Sequence, residues 1–227
     1  MRSPLALAVV APLLAGVPGG RLMAQSSPQT VAQHFFGALE GRRWRDAAAL
    51  IDPQQLVSYR DETLAMLVAL IQQREELRRM PAQGSGALVP LSSDGKLDPE
   101  ALARVGDTPL PAVPGVRTLR DLAALPPAEF LARLLEASDL RSLERSGGRI
   151  DSLRRRILGA VAEGDSVAHV VYRLEGAGVR YDDPYHVEGL ATVRRGDRWY
   201  VRRRHHDDFG SPSFVMMRLV EPDTGRK

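Results

Sequence analysis

Residues 156–174, RILGAVAEGDSVAHVVYRL, and 185–205, YHVEGLATVRRGDRWYVRRRH, decide the fold. Apolar and polar residues alternate through both stretches, the period of two that a half-buried strand requires. Glu163-Gly164-Asp165-Ser166 splits the first stretch and Gly196-Asp197 the second, so four strands are expected over 156–162, 167–174, 185–194 and 199–205. Gly at the first central position of a two-residue loop matches a type II′ hairpin. Alternation puts Val170, Tyr172 and Leu174, then Val187, Ala191 and Val193, then Trp199 and Val201 on one buried face. The opposite face takes His169 and Arg173, then His186, Glu188 and Arg194, then Tyr200, Arg202 and Arg204.

Upstream of Gly147-Gly148 the period is helical. Ser26-Ser27-Pro28 supplies a Ser cap with Pro at the first helical position. Val31, Phe35 and Leu39 then recur at four-residue spacing with Ala32 and Phe36 beside them, up to Gly41. A short helix is expected over 44–51, and Asp52-Pro53 opens a third that runs to about Met80. Its apolar side carries Leu64, Leu67, Val68, Ile71 and Leu77. Residues 81–127 hold eight prolines interleaved with glycines, which excludes a long regular element. That stretch reads as an irregular, partly ordered insertion with short helices near 99–104 and 118–124. Pro126-Pro127 opens another helix over 128–137. Helices first and an antiparallel meander afterwards define an α+β protein, with the helices covering one face of the sheet.

Composition narrows the function classes. The chain has 227 residues, 44% of them hydrophobic, and no cysteine. Disulfides, thiolate metal sites, iron–sulfur clusters and a cysteine nucleophile are therefore excluded. A pI of 9.6 accompanies a net charge of only +3. Residues 1–24 contain Arg2 and Arg21 and no acid, so beyond them 29 basic residues face 28 acidic ones. Such a balance argues against nucleic-acid binding. Arg2, the apolar run 5–17 and Ala24 have the layout of a signal peptide over 1–24. The run is too short to span a bilayer. The expected product is a secreted or periplasmic protein with one domain over 25–210 and a C-terminal strand or tail over 211–227.

The opening VAQHFFGALEGRRWRDAAALIDP and the closing VEGLATVRRGDRWYVRR resemble the first helices and the last hairpin of nuclear transport factor 2-like domains. The resemblance covers roughly 28–80 and 128–205. It implies a curved antiparallel sheet of about four strands wrapped as a cone around the helices, with a pocket inside. The family includes ketosteroid isomerase-like and dehydratase enzymes, polyketide cyclases and non-catalytic binding domains, so the fold does not select among them.

Candidate chemistry is sparse. His205-His206-Asp207-Asp208 carries metal-ligand types, but adjacent strand residues point to opposite faces. The cluster reads as a polar strand end, and no metal or cofactor is expected. His34, Tyr59 and Tyr172 offer polar groups to a pocket, and Tyr59, Tyr172 and Trp199 are the candidate ligand-binding residues. Acid–base catalysis needs an inward ionisable group; His169, His186 and Glu188 would serve only if the strand register were shifted by one. Asp182-Asp183-Pro184 reads as a turn. Arg154-Arg155-Arg156 and Arg202-Arg203-Arg204 are split between faces, which dilutes a basic surface for an anionic partner. No phosphate loop, nucleophile elbow or metalloprotease helix is present. Three roles stay open. The first is binding of a small apolar ligand or a protein partner, with a homodimer through the sheet. The second is an isomerase or lyase, and the third a structural domain that recognises partners through 81–127.

Overall fold

The computed structural model describes residues 27–79, 97–145, 154–175 and 187–202. The signal-peptide segment, His186, the Asp182-Asp183-Pro184 turn, the His205–Asp208 cluster and the 211–227 tail lie outside the described residues. Six helices precede four strands: α1 Pro28–Glu40, α2 Trp44–Ala49, α3 Pro53–Arg79, α4 Pro99–Val105, α5 Leu119–Ala123 and α6 Pro127–Arg145, then β1 Arg154–Glu163, β2 Val167–Glu175, β3 Glu188–Arg195 and β4 Arg198–Arg202. The strands form one antiparallel sheet in the order β1-β2-β3-β4. The α+β architecture expected from the pattern is the one found.

Local chemistry sets the element ends. The Ser27 hydroxyl accepts from the Thr30 amide at 3.1 Å, and Asp98 and Thr118 cap α4 and α5 in the same way. At the end of α1, Gly41 has φ −85° and the left-handed turn falls on Arg42 at φ 55°. The Arg43 amide then reaches back to the Ala38 carbonyl at 2.8 Å. Gly196, at φ +63°, turns the β3–β4 hairpin as a II′ loop requires.

The helix-facing side of the sheet follows from the cross-strand partners, which share a face. Val170 pairs with Leu190, Tyr172 with Glu188, and Thr192 with Val201. Val170 and Val201 are fully buried, and Ile157, Ala160, Tyr172, Leu190 and Trp199 pack against the same core. The inward sets on β2 and β4 are thus as expected. On β3 they are not. Glu188, Leu190 and Thr192 face the helices, while Val187 is 48% exposed and Ala191 and Val193 lie on the other face. Ala191, Thr192 and Val193 are all buried, so alternation carries no information along this central strand. The Thr192 hydroxyl is satisfied by the Ala168 carbonyl at 2.9 Å.

The described part of 81–127 holds the two short helices expected there, α4 and α5, and packs into the core. In the described part, Leu110, Leu119 and Leu122 are fully buried, and Ala101, Val105, Val113 and Val116 join the same cluster as Phe35, Leu67 and Phe130. The loop between α4 and α5 is tied by Leu110 to Arg117 and by Leu119 to Thr108 backbone bonds. Prolines here shape a compact turn of the core.

One residue joins the two layers. Ile51 bridges Val201 in parallel, with the Val201 amide donating to Leu50 at 2.8 Å and the Asp52 amide to Val201 at 2.9 Å. The Asp52 carboxylate, 1% exposed, accepts from the Gln54 amide at the start of α3 (3.2 Å) and from Arg195 beside the β3–β4 turn (2.8 Å). That hydrogen bond and the charge of Asp52 raise the Arg195 pKa above its ordinary value.

Two substitutions test this packing by denaturant unfolding. Leu119→Ala is expected to cost about 2–5 kcal/mol, the price of a core cavity, and deletion of 99–125 to unfold the protein; a folded deletion variant would restore the insertion reading. Asp52→Ala is expected to cost at least the 1–2 kcal/mol or so of a lost helix cap.

Candidate functional site

Among the described residues, two clefts border the helical layer. The first lies between α1 and the edge strand β1. Gln29, Gln33, Phe36, Gly37 and Glu40 recur at helical spacing along one side of α1, opposite Arg155, Ile157, Leu158 and Gly159, around a cavity of about 600 Å³. This volume suits a small organic molecule. Leu158 is the extra residue of a bulge: Ile157 pairs with Tyr172 and Gly159 with Val171. A bulge at an edge bends the strand and re-aims its side chains, and a Cβ at Gly159 would meet nothing within 4 Å. Phe36, Ile157 and Leu158 give the floor its apolar part, and Gln29, Gln33, Glu40 and Arg155 make the larger, polar part of the lining. Glu40 accepts from the Arg155 amide at 2.8 Å, and the Arg155 guanidinium lies 5.7 Å from the Phe36 ring centroid, within cation–π range.

Behind this floor sits a polar pair. The Tyr172 ring contacts the Phe36 ring at 4.6 Å between centroids, and its hydroxyl donates to Glu188 Oε2 at 2.5 Å. Glu188 was expected on the outer face; the β3 register brings it inward, against Tyr172. His169 stays on the outer face, with Nε2 2.8 Å from Glu163. Tyr59 is 7% exposed and packs edge-on against Phe130, and Trp199 packs on the core beside Val201. Neither lines the α1–β1 cleft. His34 is exposed. The cleft residues Gln33, Phe36 and Arg155 were not singled out from sequence. The four-residue spacing of Gln29 and Gln33 is a visible signal, but the solvent side of any amphipathic helix shows the same spacing.

The second cleft, about 370 Å³, is lined by Arg42, Arg43, Arg45 and Arg133 with Asp46, Glu129 and Glu136. Each arginine is engaged. Arg45 grips Glu129 with two bonds of 2.8 Å, Arg133 bridges Glu129 (2.9 Å) and Glu136 (3.1 Å), and Arg42 reaches Asp139 at 3.3 Å. Arg43 donates to the Gly37 carbonyl at 3.1 Å. The cluster therefore fastens α2 to α6. The Arg45 hydrogen bond, followed by the charges of Arg45 and Arg133, holds the Glu129 carboxyl below its usual range.

Among the described residues no group of three or more His, Asp or Glu side chains is placed to hold a metal, and no helix is long and apolar enough to cross a membrane. Comparison with protein-family models, curated proteins and solved structures finds no match to the chain.

A lowered carboxyl pKa stabilises the fold above the unfolded-state pKa, and that contribution is lost as pH falls through the folded one. Glu129→Gln is thus expected to lower the melting temperature at pH 7, with the gap to the parent closing as the pH drops below about 4. A gap independent of pH would contradict the assignment.

Proposed function

We propose that this chain is an exported, nuclear transport factor 2-like binding domain that holds a small amphipathic ligand between α1 and β1. The observation that carries this reading is the cleft of about 600 Å³. Its floor is Phe36, Ile157 and Leu158, and Arg155, Gln29 and Gln33 stand at its rim. Apolar burial supplies affinity and the few convergent polar groups fix orientation. The order of helices followed by an antiparallel meander supports this reading.

The Tyr172–Glu188 pair favours a second reading as an isomerase. In that reading Glu188, on the helix-facing side and bonded to the Tyr172 phenol, would carry a proton between two carbons of a ketone. In this reading a β,γ-unsaturated ketone would pass to its conjugated isomer, with activity lost in Glu188→Gln.

Gly37 provides the test. A Cβ there meets only Arg43, at 3.9 Å, so a larger side chain enters the cleft without strain. Gly37→Ala is expected to stabilise α1 by about 1 kcal/mol. Gly37→Leu is expected to abolish the fluorescence enhancement of 1-anilinonaphthalene-8-sulfonate, whose rings suit the floor and whose sulfonate suits Arg155, while the melting temperature holds or rises. Unchanged dye binding in Gly37→Leu, or none in the parent, would overturn the binding reading.

A further inference from the structure

The outward face of the sheet carries an arrangement that the cleft does not use. Arg156 and Arg173 are direct cross-strand partners, a like-charge placement that costs stability. The Nε atom of Arg173 is buried and has no hydrogen-bond partner among the described residues. Arg154 stands two residues away on the same side of β1; Glu175, 3.6 Å from Arg156, offsets one of the three positive charges, and Glu163, farther along the same face, pairs with His169. Two exposed aliphatic side chains share this face, one of them beyond the Leu158 bulge. Val161 is 62% exposed and partners His169 on this face, and Val187 precedes the inward Glu188 and is 48% exposed. Single exposed aliphatics are ordinary. Here two stand on one face beside three arginines.

We infer that this face of the β1–β2 pair docks onto an anionic lipid bilayer. Arginine stems lie along an apolar surface while their guanidinium groups reach phosphate, and aliphatic side chains enter the acyl boundary between them. An acidic protein fits the patch less well, since protein interfaces centre on an aromatic or arginine anchor seated in a shaped pocket. This corner of the sheet presents arginine and valine along a bulged edge strand and at the entry to β3.

The test is co-sedimentation of the chain from residue 25 onward with vesicles of equal parts phosphatidylglycerol and phosphatidylcholine, against phosphatidylcholine alone. Binding to the mixed vesicles is expected, weakening as salt rises. Arg154→Gln with Arg156→Gln should weaken it about thirtyfold, and Val161→Ser about fivefold. Arg78→Gln with Arg79→Gln, the same charge change at the end of α3, should leave it unmoved. Equal losses from the two double variants would mean that net charge alone drives binding. An unmoved Val161→Ser with equal capture by poly-glutamate would make an acidic polypeptide the partner. Equal binding to phosphatidylcholine alone would remove the anionic headgroup from the account. Any of these three results overturns the inference.

Discussion

Asp52 is a carboxylate shut almost wholly away from water, and three parts of the chain meet on it. Its amide completes a parallel bridge to β4, its Oδ1 caps α3, and its Oδ2 holds Arg195 at the β3–β4 hairpin. A buried charge persists only when paired and hydrogen-bonded, so each of these bonds depends on the others being in place. The consequence is architectural. Residues 50–52 run beside β4 while the helix that follows them packs on α6, which fixes the sheet to the helical layer at one edge.

From that anchored edge the rest follows. α1 lies against all four strands, and its aromatic pair Phe35 and Phe36 fills the space over the sheet. Among the described residues no further strand pairs with the far edge, β1. It is instead bent by the Leu158 bulge and held at one point by Glu40, two devices that discourage edge-to-edge association. The bend leaves room between α1 and β1, and the cleft occupies it. On the helical side, the arginine–carboxylate network sets the short α2 against α6, where intrinsic propensity alone would not keep a six-residue helix folded.

Much of this was legible in the sequence, because local chemistry and global fold agree. Ser27-Pro28, Asp52-Pro53 and Pro126-Pro127 mark helix starts, and Gly164 and Gly196 mark the turns. The misreadings have physical causes. Along Leu190–Val193 both faces are covered, so alternation lost its meaning and Glu188 was assigned to the wrong side. In 97–125 the density of proline hid a core segment, because proline excludes long elements but does not exclude burial of the leucines between them. Gly41 ends α1 as expected, while the left-handed turn falls on Arg42, whose side chain reaches Asp139. The cleft was invisible for another reason: it arises from a bulge, and a bulge is a property of two strands in register.

Native-state hydrogen exchange at the Asp52 and Val201 amides tests the central claim most directly. If the 50–52 segment locks sheet to helices, both amides exchange only through global unfolding, with the same free energy of opening as the amides of Leu67 and Val170. Exchange at the low opening free energy of a fraying edge, while Leu67 stays protected, would show that the two layers hold together without this junction.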